Sequence, residues 1–348
     1  VPRPSSGTTT KENVVVRIEG RPLRGFARRL FALGALCALV ALLAACGSSS
    51  DGGGASTSED GVTTLKVGVV PNSDIAPLYV GIRQGFFREQ GLAIEPQPAS
   101  AGAAIVPAVV SGQYQFGYGS IIPLLTATAR GLPLQAVAAG NQEAADERDA
   151  FIAVLAKKGS DIRRLTDLAG RKVGVNAVRS ISDLGIRGAL EAQGARLDGE
   201  ISYVEVPGPD MASALESGRV DAVVVAEPFM TVQRDVTQVV SKPIWEATPG
   251  GTVGLYYATE QYAADNPELV ERFKTAMDRS LEYTEANPDA ARAAVVDYAR
   301  MEQAVADAIL LPRWSTDMNV ASVEKTAELM EQFGFADEVD ASKLLGGK

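Results

Sequence analysis

The chain has 348 residues, of which 46% are hydrophobic and 22% charged, enough for two globular domains with sizeable cores. Its formal net charge of −10 and lack of a basic tract argue against nucleic acid or an anionic membrane surface as the main partner. Histidine is absent and both cysteines, Cys37 and Cys46, lie near the front, which excludes Ser-His-Asp and Cys-His catalysis and His-ligated zinc and leaves the folded part without a disulfide.

Arg21, Arg24, Arg28 and Arg29 precede the apolar run Leu30–Ala45, the order of a secretory signal. The run is shorter than the roughly 20 residues a membrane helix needs. It ends in Leu43-Ala44-Ala45-Cys46-Gly47, which resembles the bacterial lipobox. That resemblance implies removal of residues 1–45 as a signal peptide and lipidation of Cys46, which would hold the protein on the outer face of the cytoplasmic membrane. Arg28-Arg29-Leu30-Phe31 also resembles a twin-arginine export signal, so two export routes stay open. Residues 1–20 exceed what a signal needs, and translation is expected to start after Val1. Residues 46–62 are mostly Gly, Ser, Asp and Thr, with too little apolar surface to offset the entropy of ordering. They are expected to form a flexible tether spanning about 20 Å.

The folded part opens with LKVGVVPNSDIAPLYVGIRQGFFREQG from Leu65 to Gly91. A β-branched run stops at Pro71, turn residues follow, and Pro77 begins a helix with Leu78, Tyr79, Ile82 and Phe86 on one face. Strands are then expected at 92–98, 114–118 and 134–138, alternating with helices at 101–110 and 121–130. The polar residues 141–149 read as a solvated loop.

A second copy of this plan lies downstream. Lys66-Val67-Gly68-Val69 recurs as Lys172-Val173-Gly174-Val175, and Ser111-Gly112 recurs as Ser217-Gly218, both at an offset of 106 residues. A single offset for two separate landmarks points to duplicated domains. Strands and helices at 172–175, 180–193, 201–206, 211–216 and 220–226 repeat the β-α-β-α-β order. The apolar runs 151–156 and 253–258 are expected to be linking strands and the hinge. Residues 63–153 with 257–348 then form lobe 1, and 154–256 form lobe 2 as an insertion. Asn266-Pro267 and Asn287-Pro288 each mark a helix start, and these helices, with another at 320–333, should pack on lobe 1.

The patterns KVGVVPNSDIAPLYVGIRQGFFREQGL, SGQYQFGYGS, LAGRKVGVNAVRSISDLG and ESGRVDAVVVAEPFMT resemble the solute-binding lipoproteins of ABC importers for nitrate, sulfonates, taurine and thiamine-pyrimidine precursors. The resemblance implies an α/β, two-lobed type II periplasmic-binding-protein fold, each lobe a mostly parallel sheet flanked by helices, with the ligand cleft between lobes. It also implies a monomer that delivers a small solute to a permease and its ATPase, with no cofactor and no metal. Some relatives make the thiamine pyrimidine with their own histidine and a Cys-rich iron site; this chain has neither, so a synthase is disfavoured. A sensor presenting its ligand to a receptor is a third alternative.

In open α/β sheets ligands gather outside the carboxyl ends of strands, near helix N-termini. The repeat identifies those loops as 72–76, 119–121, 176–183 and 227–229. They offer Asn72, Ser73, Asp74, Gly119, Ser120, Asn176, Arg179, Ser180, Ser182 and Glu227 as candidate ligand-binding residues. The serines either donate to an anion or cap helices. Arg179, the one cation in these loops, either pairs with a sulfonate or carboxylate or faces solvent. Glu227 needs a donor, from a ligand amine or from the protein. Tyr79 and Tyr118 offer rings for stacking or belong to the core. A sulfonate-like anion is the leading solute, with a nitrogen heterocycle as the alternative.

Overall fold

The structure, a computed structural model, describes residues 56–57, 61–99 and 102–347. The expected signal peptide, Cys46 and most of the tether lie outside these residues. The strands are β1 (Thr63–Val69), β2 (Leu92–Pro98), β3 (Phe116–Ser120), β4 (Leu134–Gln142), β5 (Ile152–Lys157), β6 (Lys172–Val175), β7 (Ser202–Glu205), β8 (Ala222–Ala226), β9 (Thr237–Ser241) and β10 (Thr252–Thr259), with two-residue strands at Ser56–Thr57 and Arg313–Trp314. They form two sheets. The larger has the central order β2-β1-β3-β10-β4, and the smaller has β7-β6-β8-β5-β9.

The two orders are the same arrangement. In each, three parallel strands are followed by one antiparallel strand and then by the fourth strand of the unit. Four of the five strands in each order run in one direction, as expected, and the fifth is antiparallel because each sheet takes it from the far side of a crossing between sheets. Registry repeats with the sequence offset: Val67 opposes Phe116 as Val173 opposes Ala222. The Lys66 N–H donates to Gln115 Oε1 and the Lys172 N–H to Asp221 Oδ2, both at 2.8 Å. Duplication thus extends to side-chain hydrogen bonds.

The apolar runs at 151–156 and 253–258 are interior strands, not links. On β5, Ile152, Val154 and Ala156 enter one hydrophobic cluster while Ala153 and Leu155 enter another, the period of two expected of a strand covered on both faces. Every residue of β10 up to Ala258 is buried. An apolar run of this kind gains more from a sheet interior than from an exposed link. The chain crosses between sheets at 143–151 and 242–251, and the boundaries expected at 153/154 and 256/257 fall inside β5 and β10.

Helices cover both sheets. Those used below are α1 (Ala76–Gln84), α2 (Ile121–Ala129), α3 (Ile181–Ala192), α4 (Phe229–Gln233), α5 (Pro267–Ala286), α6 (Pro288–Ala299) and α7 (Val320–Gln332). Leu269, Phe273, Met277 and Leu281 of α5 join the core of the larger sheet. The prolines before α5 and α6 stand in their first turns, but Asn266 and Asn287 make no cap bond to the new helix. Each donates back instead, to Tyr262 O at 3.0 Å and Tyr283 O at 2.7 Å, near the end of the preceding helix.

Candidate functional site

Beyond β1 the chain turns at Pro71 and places Asn72 in extended conformation ahead of a short 3-10 turn, Ser73–Ile75. This aims Asp74 across the sheet. Asp74 Oδ2 accepts from Asn72 Nδ2 at 2.7 Å, and Oδ1 accepts from Asn141 Nδ2 at 3.1 Å. Trp314 Nε1 holds the Asp74 backbone oxygen at 3.1 Å, and the Tyr298 hydroxyl holds that of Asn72 at 2.6 Å. Tyr298 stacks on Tyr79 with ring centroids 4.2 Å apart, and Tyr118 meets Tyr256 edge-on at 5.2 Å. Burial pushes Asp74 up to about 6, against the opposing hydrogen bond from Asn72. Ser73 is buried. Asn72 Oδ1 and the Tyr256 hydroxyl are buried polar atoms with no hydrogen-bond partner.

At the end of β3, Ser120 is extended and precedes α2 without capping it, and its buried Oγ has no hydrogen-bond partner. The hydroxyl is thus available as a donor, and helix geometry leaves the N–H groups of Ile121 and Ile122 without an intrahelical acceptor. Gly119 pairs with Leu255, and a Cβ there would stand 3.2 Å from the Tyr257 ring. Its lack of a side chain serves packing.

The candidates of the smaller sheet are mostly engaged by the protein. Ser180 caps α3, its Oγ accepting from the Ser182 N–H at 3.3 Å, and both serines are buried. Asn176 is exposed. Arg179 is exposed as well and adopts a φ of 54°. It donates to the Gly334 carbonyl and lies over the Phe335 ring at 5.2 Å. There it faces a cavity of about 520 Å³ that includes Ala129 and Arg130, at the opposite end of α2 from Ser120. Glu227 is buried and accepts from the Thr231 N–H at 3.0 Å, the Thr231 hydroxyl at 2.9 Å and the Leu310 N–H at 3.2 Å. Burial raises its pKa and these bonds oppose the rise. The donors that Glu227 requires therefore come from the protein, and Arg179 is drawn away from the loops it was expected to serve.

Several further residues without a sequence motif lie beside these candidates. Asn141 and Glu143 fall in a stretch that reads as a solvated loop, yet both are fully buried. Glu143 Oε1 accepts from the N–H groups of Ala144 at 2.9 Å and Phe151 at 3.3 Å, while Oε2 has no hydrogen-bond partner. Burial pushes Glu143 up to about 7, with Lys242 acting against the rise. Lys242 is itself buried, donates to the Ala150 carbonyl, and is pushed down by burial. Glu143 and Lys242 each stand one residue past a strand, β4 and β9, the position Glu227 holds after β8. That shared position was the available signal. Tyr298 and Trp314 come from C-terminal segments with no local chemical signature.

Among the described residues no group of three or more His, Cys, Asp or Glu is placed to hold a metal ion, and no helix is long and apolar enough to cross a membrane. Comparison with known proteins places the chain in a family. The chain is 27% identical over 210 residues to the taurine-binding periplasmic protein of Escherichia coli, covering 59% of this chain and 61% of that one. It is 27% identical over 239 residues to the 4-amino-5-hydroxymethyl-2-methylpyrimidine phosphate synthase of Aspergillus parasiticus, covering 64% of this chain and 66% of that one. Both matches thus span less than two thirds of the relative. The solved structure of the periplasmic aliphatic sulphonate binding protein SsuA from Escherichia coli aligns with a TM-score of 0.65 at 19% identity, over 81% of this chain and 97% of that one. The fold is therefore the two-lobed α/β fold of periplasmic binding proteins. The family model described as NMT1/THI5 like matches residues 72–291, more than half the chain, and the chain belongs to that family.

Proposed function

We propose that the chain is the solute-binding component of an ABC importer, held outside the cytoplasmic membrane by lipid on Cys46 and delivering its solute as a monomer to a permease and its ATPase. One lobe carries the larger sheet and the other the smaller, and they close on the solute by movement at 143–151 and 242–251. The absence of histidine and the similarity to binding proteins support binding over catalysis. The solute is a small taurine-like zwitterion. Its ammonium pairs with Asp74, and its sulfonate takes the Ser120 hydroxyl and the N-terminal N–H groups of α2.

The observation that carries this reading is the pairing of two unlike groups at neighbouring strand ends. A carboxylate sits on the turn after β1, and an unpartnered hydroxyl opens α2 after β3. A simple anion such as nitrate would use only the second. The stacked Tyr79 and Tyr298 rings beside Asn72 favour a second reading, an aminopyrimidine or related heterocycle whose N–H groups meet Asp74.

A thermal-shift screen of the purified chain against taurine, alkyl sulfonates, nitrate and thiamine pyrimidines tests both. A ligand at a hundred times its dissociation constant adds about 2.7 kcal/mol and raises the melting temperature by several degrees. Taurine is expected to do so in the wild type and not in Asp74→Asn. Stabilisation by pyrimidines alone selects the second reading, and an Asp74→Asn variant that responds to taurine as fully as the wild type rules out the ammonium pairing.

A further inference from the structure

Asn141 lies at 0% exposure on β4, in a setting shaped around its amide. Its Nδ2 donates to Asp74 Oδ1 at 3.1 Å, and its Oδ1 accepts from the Tyr118 hydroxyl. Between β3 and β4 runs β10, and there Gly254 pairs with Ser120 on one side and Asn141 on the other. A Cβ on Gly254 would stand 2.2 Å from the Tyr118 hydroxyl oxygen and 3.1 Å from Asn141 Oδ1. A Cβ on the neighbouring Gly140 would stand 2.4 Å from the Gly254 carbonyl oxygen. The registry of β10 against β4 shifts on both sides of Gly254. Two side-chain-free positions and a ladder irregularity thus let Tyr118 reach over β10 to Asn141.

A tyrosine hydroxyl can donate or accept, and an amide presents a donor at one end and an acceptor at the other. The chain Tyr118–Asn141–Asp74 therefore has two polarities. With the hydroxyl donating to Oδ1, Nδ2 faces Asp74, whose two oxygens then accept from Asn141 and Asn72 and favour the ionised carboxylate. With the amide turned over, Nδ2 faces the hydroxyl oxygen and Oδ1 faces Asp74, an arrangement that needs a protonated carboxyl group to donate. We propose that Tyr118 and Asn141 are positioning residues that hold Asp74 as a double acceptor, so that the site selects solutes carrying a protonated amine. This rests on the solute-binding reading above.

The groups facing Asp74 are consistent with this role. Tyr118 from β3, Tyr256 from β10 and Tyr298 from α6 surround it, with Tyr79 of α1 behind Tyr298, and all have hydroxyls pushed up by burial. Glu143, one residue past β4, is the acidic neighbour, and Lys242 faces Glu143. No cation stands in contact with the Asp74 carboxylate among the described salt bridges. The amides fix its orientation and leave its charge for the solute.

The test reads Asp74 directly, by carbon-13 NMR titration of its carboxyl carbon in ligand-free wild type and Tyr118→Phe. Without the hydroxyl donor the amide loses its preferred polarity, and the Asp74 midpoint should rise by about half a pH unit or more. Asn141→Ala, which removes a donor to the carboxylate, should raise it too. A parallel calorimetric comparison uses taurine and its hydroxyl analogue, 2-hydroxyethanesulfonate. Tyr118→Phe should weaken taurine at pH 7.5 by about tenfold and leave the analogue nearly unchanged. An unmoved Asp74 midpoint in both variants overturns the proposal, as does an equal loss for both sulfonates, which is what a merely structural role would give. If neither sulfonate binds the wild type while the midpoint rises, the solute reading fails and the positioning role stands.

Discussion

Glu143 shows what a single enclosed carboxyl group does to the energetics of this fold. It is fully buried with one oxygen unpartnered, and burial raises its folded-state pKa from the ordinary carboxylate range to about 7. The folded state therefore binds a proton more tightly than the unfolded state between about pH 4.5 and 7. Stability from this group is present at the acidic end of that window and is lost as pH rises through 7. Asp74, raised to about 6, acts in the same sense over a lower window. Replacing Glu143 by Gln keeps an acceptor for the Ala144 and Phe151 N–H groups and removes the charge. In denaturant titrations the variant should be more stable than wild type at pH 8 by about 1–3 kcal/mol, with the difference vanishing near pH 5. A variant that is less stable at pH 8 would mean that attraction to Lys242 outweighs the burial of Glu143.

Helices α2 and α3 are each preceded by a serine, Ser120 and Ser180, and the structure gives the two serines different work. Ser180 caps α3 through its hydroxyl, so Ser180→Ala should cost about 1 kcal/mol. Ser120 caps nothing, so Ser120→Ala should change the melting temperature little and weaken solute binding instead. A large loss of stability in Ser120→Ala would show that its hydroxyl serves the fold. The repeat made the elements legible, because an offset of 106 residues between Lys66 and Lys172 carries strand, helix and registry from one half to the other. It also pointed to Asp74 and Ser120 as loop residues. Asn141 escaped notice because a polar end on a buried strand reads like a loop until its partners are known. Glu227 was legible as a carboxylate that needs a donor from ligand or protein, and Thr231 and Leu310 supply it; the partner of Arg179 was not legible, since Gly334 lies far along the chain. Local pattern reports what a residue is, and only the fold reports what it is paired with.

The same distant pairings tie the two halves of the molecule together. Arg179 of the α3 entry meets Gly334 and Phe335 just past α7. Glu191 of α3 accepts from Gln332 Nε2 at 2.7 Å, and Glu227 after β8 accepts from the Leu310 N–H at 3.2 Å. Each tie joins a residue of the smaller-sheet half to a segment that follows β10. A molecule that opens at 143–151 and 242–251 must loosen some of them, and Arg179 is the most exposed to that demand because it is held at a φ of 54°, where a non-glycine residue is strained. Its ring contact and hydrogen bond are worth about 1 kcal/mol together, enough to shift an open–closed equilibrium about fivefold. Arg179→Ala should therefore enlarge the ligand-free radius of gyration measured by small-angle scattering and weaken solute binding by a similar factor. Arg179→Gly separates side chain from backbone. It relieves the strained conformation, so it should match Arg179→Ala in scattering while unfolding at a higher temperature than that variant. If both variants scatter as the wild type does, Arg179 is a surface contact, and ties such as Glu227–Leu310 and Glu191–Gln332 hold the two halves together without it.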